Sequence, residues 1–288
     1  MPFANVNGTR IHYEVEGDGE PLILIPGLGL DYTYYQLGVP AMSAAARTIA
    51  VDPRGVGQSD RDEDGEYSVE TWADDIAELI TALGYDNAHI LGTSLGGSIA
   101  CSLAVRHPDK VRSLIAVGAF TELNRSVELN YALRQRLIAK IGMGEEIADF
   151  IALWIMTPQF LESEHGQQVE ANIRAGVQRN SPETYVAFLD AILRLGRRQC
   201  ATHPPLTAAL EKVTAPTLVA CADNDHFIPA ELSKVIHEAI PHSTFVEIPG
   251  GGHIPFIEAP DLVSAAVVDF IRSLKSRLIE EDDCGAIR

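Results

Sequence analysis

The sequence has 288 residues, and 46% of them are hydrophobic, enough to bury the core of one large α/β domain or two modest ones. Its 22 basic and 40 acidic residues give a formal net charge of −18, which repels phosphate backbones and anionic headgroups, so nucleic acid and membrane surfaces are disfavoured as partners. The four cysteines lack Cys-x-x-Cys spacing and the first residues lack a secretory pattern, so we expect a soluble cytoplasmic protein without disulfides.

Short apolar runs alternate with helical patterns along most of the chain. The opening FANVNGTRIHYEVEG (3–17) alternates around an Asn-Gly turn and predicts an antiparallel hairpin. Ser68 is the predicted cap of a helix whose apolar residues recur at 3.6 spacing until Gly84. Further runs that end in Gly, Pro or Asp predict strands at 21–27, 46–52, 87–92, 111–118, 215–223 and 243–250. This alternation is typical of a largely parallel sheet covered by helices on both faces.

The alternation stops between residues 121 and 203. No strand pattern occurs there, but three helical stripes do. Their members are Leu129, Leu133, Leu137 and Ile141; Phe150, Leu153 and Trp154; and Tyr185, Phe188, Leu189 and Ile192. We interpret 121–203 as a helical cap inserted into a core formed by 1–120 and 204–288.

The stretch HILGTSLGGSIA (89–100) puts Ser94 where a predicted strand turns into a predicted helix. Gly92, Gly96 and Gly97 lack the Cβ atoms that would clash in so sharp a turn. The turn holds the serine at the carboxyl edge of the sheet, where open α/β sheets bind ligands. The pattern Gly-x-Ser-x-Gly therefore predicts a nucleophilic serine.

A serine hydroxyl needs a base, and the base needs a carboxylate to fix its tautomer. The glycine-rich segment IPGGGHIPFIEAP (248–260) follows the last predicted strand and offers His253 as the base. Three carboxylates are candidates for the acid. Asp223 and Asp225 share one turn after the strand at 215–223, and Glu122 follows the strand at 111–118.

Together these motifs resemble the α/β-hydrolase superfamily over the whole chain. The resemblance implies an α/β-hydrolase fold, a mostly parallel central sheet flanked by helices with an inserted helical cap. It also implies Ser94 as nucleophile, His253 as base and Asp225 as acid, since the family places its acid four residues before a proline, here Pro229. The segment VDPRGVGQSD (51–60) resembles a loop whose role in that family is mainly structural.

The oxyanion formed by attack on a carbonyl needs two backbone donors. Leu95, directly after the nucleophile, is the first predicted donor, and Leu28 in IPGLGLD (25–31) is the second. The family more often has His-Gly where this chain has Pro26-Gly27. The missing N–H of proline does not matter, because the donor is the residue after the glycine.

The resemblance predicts a serine hydrolase that cleaves a carboxylic ester or lactone, similar to the branch of 3-oxoadipate enol-lactonases and carboxylesterase-like enzymes. No metal and no other cofactor is expected, and the predicted partner is a small-molecule substrate. Two alternatives stay open. One is a C–C bond hydrolase or another cofactor-free enzyme of this fold, and the other is a non-enzymatic ligand receptor on the same scaffold.

Aromatic residues of the predicted cap are candidates for contact with the substrate: Phe150, Trp154, Tyr185 and Phe188. Their apolar character indicates a small to medium, largely hydrophobic substrate. The sequence also leaves the oligomeric state open, with a homodimer as one option.

Overall fold

The computed structural model describes residues 2–62, 67–177, 179–196 and 206–285. Its centre is an eight-stranded sheet in the order β1-β2-β4-β3-β5-β6-β7-β8. The strands are β1 (Phe3–Val6), β2 (Thr9–Glu16), β3 (Pro21–Ile25), β4 (Arg47–Val51), β5 (Ala88–Thr93), β6 (Val111–Val117), β7 (Thr217–Ala222) and β8 (Thr244–Ile248). β2 is antiparallel to β1 and β4, and the remaining pairs are parallel. The predicted α/β-hydrolase architecture is confirmed.

The middle strands of the sheet are buried along their whole length. β3, β5 and β7 expose no residue, because helices cover both faces. β3 and β5 run side by side in register, with Ile25 opposite Gly92. Since neighbouring strands here are parallel, the loops after β3, β5, β7 and β8 all leave at one edge of the sheet.

The connecting helices begin where the sequence offers a cap. α2 starts after Ser68, whose Oγ accepts a hydrogen bond from Thr71 N, as predicted. The helices outside the segment between β6 and β7 are α1 (Val39–Ser43), α2 (Val69–Ala82), α3 (Leu95–Arg106), α10 (Ala230–Ala239), α11 (Pro255–Glu258) and α12 (Pro260–Gly285). In the described ranges, no helix has both the length and the apolar character needed to cross a bilayer.

Between β6 and β7, the described part of the chain forms helices and loops. The helices are α4 (Arg125–Ile141), α5 (Glu145–Ile155), α6 (Pro158–Leu161), α7 (Glu164–Val177), α8 (Pro182–Gly196) and α9 (Leu206–Ala209). We call α4 to α8 the helical insert. α4 packs against α8, and α5 packs against α7. The predicted cap boundary at 203/204 lies outside the described residues.

Helix α4 buries a different face from the one its sequence predicts. Leu129, Leu133 and Ile141 of the predicted apolar stripe are exposed. The buried face instead carries Val127, Asn130, Tyr131, Arg134 and Ile138. The helical period is right but the predicted face is wrong, because the face with Arg134 packs against α8, where Arg134 donates to Tyr185.

Candidate active site

Ser94 lies at the turn from β5 into α3 with φ +56° and ψ −120°. This is a sparsely populated region for a residue with a side chain and costs on the order of 1–3 kcal/mol. The surroundings hold it there: Ser94 N donates to Val117 O at 2.9 Å. A Cβ atom at Gly92 would overlap Gly96 O, and one at Gly96 would overlap Ile25 O, so only glycine permits this close approach of strand and helix.

His253, in the loop after β8, bonds to both of its predicted partners. Its Nε2 lies 2.9 Å from Ser94 Oγ, and its Nδ1 lies 2.7 Å from Asp225 Oδ2. All three residues are buried. With the proton on Nδ1, the imidazole donates to the carboxylate and its Nε2 accepts from the serine hydroxyl, which is the tautomer that a base requires. We call these three residues the triad.

The Asp225 carboxylate is held by the backbone of its own turn. Oδ1 accepts from Phe227 N at 3.0 Å and from Ile228 N at 2.8 Å, which leaves Oδ2 for the imidazole. The other two candidate acids lie in different contacts. Asp223 accepts from Gly250 N at 2.7 Å, and Glu122 accepts from Thr207 Oγ1 at 3.3 Å.

The loop that carries His253 is tied to the helical insert. His253 N donates to Ile155 O at 2.9 Å. The carboxylate of Glu258 accepts from Thr157 Oγ1 at 2.8 Å. Burial raises the pKa of Glu258, while hydrogen bonds from Thr157 and from the Gly252 backbone oppose the rise. The position of the imidazole therefore depends on contacts with the end of α5.

The two predicted oxyanion donors lie on either side of Ser94, Leu28 in the loop after β3 and Leu95 at the start of α3. Gly27, just before Leu28, lies so close that a Cβ atom on it would be 3.4 Å from Ser94 Cβ. Leu95 is the first residue of α3, where an amide has no acceptor within its own helix. Within the described ranges neither amide donates to another protein group. Both are free to bind a negatively charged oxygen.

Residues 20–260 match the family model of the alpha/beta hydrolase fold. The chain is an α/β-hydrolase. The enol-lactonase of Burkholderia xenovorans LB400 is 26% identical, with a TM-score of 0.83 over 94% of this chain and 100% of that one. A thermophilic esterase of Thermogutta terrifontis is 27% identical, with a TM-score of 0.81 over 94% and 98%. A protein of Azorhizobium caulinodans named as the carbamate hydrolase RutD is 28% identical over 94% of this chain and 98% of its own.

The loop 51–60 of this α/β-hydrolase forms a buried, hydrogen-bonded junction. The Asp52 carboxylate accepts from Tyr32 N at 2.8 Å and from Gln58 N at 2.9 Å, and its Oδ2 lies 2.9 Å from His12 Nδ1. Burial raises the pKa of Asp52, and these hydrogen bonds oppose the rise. The contacts join β2 to the loops after β3 and β4, which is a structural task.

Two of the four predicted substrate-contacting aromatics, Phe150 and Tyr185, contact one buried arginine of the α/β-hydrolase insert, and Trp154 lies beside Phe150. Arg134 Cζ lies 5.6 Å from the centre of the Phe150 ring, and its Nη1 donates to Tyr185 Oη at 3.0 Å. The rings of Phe150 and Trp154 are 6.5 Å apart. The structure therefore brings Phe150, Trp154 and Tyr185 together at one place in the insert.

Phe188, the fourth, lies in a separate aromatic cluster. Its ring is edge-on to Tyr67 at 4.7 Å and to Trp72 at 5.3 Å. A Cβ atom at Gly55 would come within 2.8 Å of Phe188 Cζ. These contacts join α8 to α2 and to the loop after β4, and the structure does not bring Phe188 to the triad.

Sequence reasoning missed Phe227, which contacts the triad of this α/β-hydrolase, and Arg134, which lies behind Phe227. The Phe227 ring is edge-on to the His253 ring at 5.0 Å. The sequence could have indicated Phe227, because it lies two residues after the predicted acid Asp225. Arg134 gave no such signal, since a charged residue between leucines on a helix ordinarily indicates the solvent-exposed face.

Proposed function

We propose that this α/β-hydrolase is a serine hydrolase that cleaves a carboxylic ester or lactone through an acyl-enzyme on Ser94. The observation that carries the proposal is the continuous hydrogen-bonded chain from Ser94 through His253 to Asp225. The similarity to an enol-lactonase and to an esterase over nearly the whole chain supports the choice of substrate class.

The geometry supports two acyl transfers at one carbonyl. Ser94 Oγ attacks the carbonyl carbon while His253 Nε2 takes its proton, and the Leu28 and Leu95 amides donate to the oxyanion. The imidazolium, stabilised by Asp225, returns the proton to the leaving oxygen, which departs as an alcohol. Water, deprotonated by His253, then attacks the acyl carbonyl, so the acid leaves and Ser94 regains its proton. In a lactone the alcohol and the acid remain parts of one molecule.

A fluorophosphonate probe tests the nucleophile, because it labels only an activated serine. We expect peptide mass spectrometry to find the label on Ser94 and a panel of p-nitrophenyl esters and lactones to be turned over. Ser94→Ala should lose both the label and most turnover, while Ser102→Ala, in the helix α3 that follows Ser94, should retain both. Absence of labelling in the folded wild-type protein would contradict the proposal.

A carbamate hydrolase is the second candidate, favoured by the relative named RutD. Ser94 attacks an alkyl carbamate in the same way and expels the alcohol, and water then releases carbamic acid, which breaks down to ammonia and CO2. Assays of alkyl carbamates by ammonia release, beside the matched alkyl esters, separate the two. A carbamate turned over faster than its ester would favour the second candidate. Cleavage of a 1,3-diketone would instead favour a C–C bond hydrolase. Tight binding of a ligand, without labelling of Ser94 by the probe, would favour a non-enzymatic receptor.

A further inference from the structure

Arg134 is a buried arginine without an acidic partner. It is 2% exposed, and its guanidinium donates to two neutral groups, Tyr185 Oη and Asn130 Oδ1, each at 3.0 Å. In the ranges that the structure describes, no carboxylate lies within ion-pairing distance of it. An arginine keeps its charge in a protein, and a buried charge is normally matched by an opposite one.

The same cluster contains polar atoms that lack a hydrogen-bond partner. Among the described residues, five buried side-chain atoms lack a hydrogen-bond partner. Three of them belong to residues within about one turn of α4: Asn130 Nδ2, Tyr131 Oη and Arg134 Nε. Nearly all buried polar groups in proteins are paired. Two of the three atoms are obligate donors and the third can donate, so the group they lack is an acceptor.

Aromatic side chains connect this cluster to both sides of the reaction centre. The Phe227 ring lies 5.3 Å from Arg134 Cζ and 5.0 Å from the His253 ring. Tyr185, which bonds to Arg134, lies against Gly29, where a Cβ atom would be 3.0 Å from Tyr185 Cε2. Gly29 follows the predicted oxyanion donor Leu28. One side chain therefore separates Arg134 from the base and from the oxyanion loop.

We infer that Arg134 binds a carboxylate of the substrate, so that the enzyme cleaves esters or lactones that carry a second, acidic group a few carbons from the reacting carbonyl. The planar guanidinium can donate from Nε and Nη to both oxygens of a carboxylate, and Asn130 Nδ2 and Tyr131 Oη supply further donors. The inference rests on the proposed function and narrows it. The expected substrate is apolar along its length, where it meets Phe150, Trp154 and Phe227, and anionic at one end.

The net charge of −18 makes such a local cation important. The protein as a whole repels an anionic substrate, so binding requires a positive group inside the site. A purely structural arginine, held by cation–π contacts with Tyr131, Phe150 and Phe227, would stabilise the insert but would not distinguish anionic from neutral esters.

A matched pair of esters separates these two roles: mono-4-nitrophenyl glutarate and its neutral methyl ester. We expect the wild-type enzyme to have the higher kcat/KM on the acidic ester. Arg134→Met should reduce kcat/KM on the acidic ester by about 30-fold or more, mainly through KM, because it removes a buried charge-assisted contact. The same substitution should change kcat/KM on the neutral ester by less than about threefold. Arg174→Met removes an exposed arginine of the same insert and should leave kcat/KM unchanged on both esters.

Two measurements remain decisive even if Arg134→Met does not fold. The first is the preference of the wild type, and equal or better turnover of the neutral ester overturns the inference. The second is whether glutarate protects Ser94 from labelling by the fluorophosphonate. We expect protection in the wild type and in Arg174→Met. We expect none in folded Arg134→Lys or Arg134→Met. Labelled Ser94 without protection or preference overturns the inference alone, whereas an unlabelled Ser94 overturns the proposed function. An equal loss on both esters in Arg134→Met assigns the arginine a structural role.

Discussion

Asp223 and Asp225 are two residues apart in one turn, yet their carboxylates do different things. Asp225 is buried and reaches the imidazole, while Asp223 binds the backbone of the loop that carries His253. The difference follows from the local backbone, since the amides of Phe227 and Ile228 close around the second aspartate only. A carboxylate held in this way can orient the imidazole without moving during the reaction.

Replacing each candidate acid by its amide tests this assignment. Asp225→Asn keeps the shape but favours the wrong imidazole tautomer, so we expect kcat to fall by up to about 10⁴-fold. Asp223→Asn and Glu122→Gln should stay within about tenfold of wild type, because neither carboxylate touches the imidazole. Steady-state kinetics on one activated ester provide the comparison. A collapse in either control, with Asp225→Asn nearly unaffected, would identify a different acid.

Glu258 makes the stability of the folded protein depend on pH. Burial raises its pKa above the ordinary value of 4.5, so the folded protein binds this proton more tightly than the unfolded chain does. The carboxyl therefore favours folding most below pH 4.5, and its contribution falls as pH rises through the higher folded-state value. Its hydrogen bonds to Thr157 persist in both protonation states, because a neutral carboxyl still accepts.

Glu258→Gln removes the titration and leaves an amide of the same size. The amide pairs less well with the donors around it, so we expect a lower melting temperature than wild type at every pH. The difference in melting temperature between the wild type and the variant should become smaller as pH rises from 4.5 towards 7, because only the wild type loses stability from this group. Glu183→Gln is the control, since a hydrogen bond from Ser181 lowers the pKa of Glu183 and any trend should be opposite. A difference that grows with pH contradicts the assignment.

At the scale of the helix, α4 shows what sequence pattern can and cannot provide. The period of its apolar residues predicts a helix, and the structure has one from Arg125 to Ile141. The pattern does not predict which face of the helix is buried, because the leucines on the exposed face have the same spacing as a buried apolar stripe. The triad, by contrast, was predictable, since Ser94, Asp225 and His253 each follow a strand whose end lies at the same sheet edge.

Two isoleucines of α4 test which face is buried. Ile138 is 4% exposed and Ile141 is 51% exposed. Ile138→Ala should lower the free energy of unfolding by about 2–5 kcal/mol, because it leaves a cavity, whereas Ile141→Ala should change it by about 0.5 kcal/mol or less. Urea unfolding measures both. The reverse order would restore the face that the sequence predicts. A homodimer that covers the outer face would make the effect of Ile141→Ala depend on protein concentration.

Over the whole molecule, the candidate active site is assembled from segments far apart in sequence. The loops after β3, β5, β7 and β8 bring Leu28, Ser94, Asp225 and His253 to one edge of the sheet. Arg134 of the helical insert packs beside this site through its contacts with Phe227 and Tyr185. Fold and triad were accessible to sequence motifs because each depends on local strand and turn signals. The buried position of Arg134 depends on packing between α4, α8 and the loop after β7, which no local signal specifies.

Two buried thiols report whether this assembly opens as a unit. Cys101 lies in α3 and Cys221 in β7, both within the sheet and its covering helices, and burial raises the pKa of each to about 12. The thiolate is the reactive form, so at pH 8 the native protein should leave both cysteines unmodified by iodoacetamide, and denaturant should expose them. Peptide mass spectrometry follows each separately. If the core opens cooperatively, both should be labelled at one rate that rises together with urea. Labelling of one long before the other would instead mean that helix and sheet separate in steps.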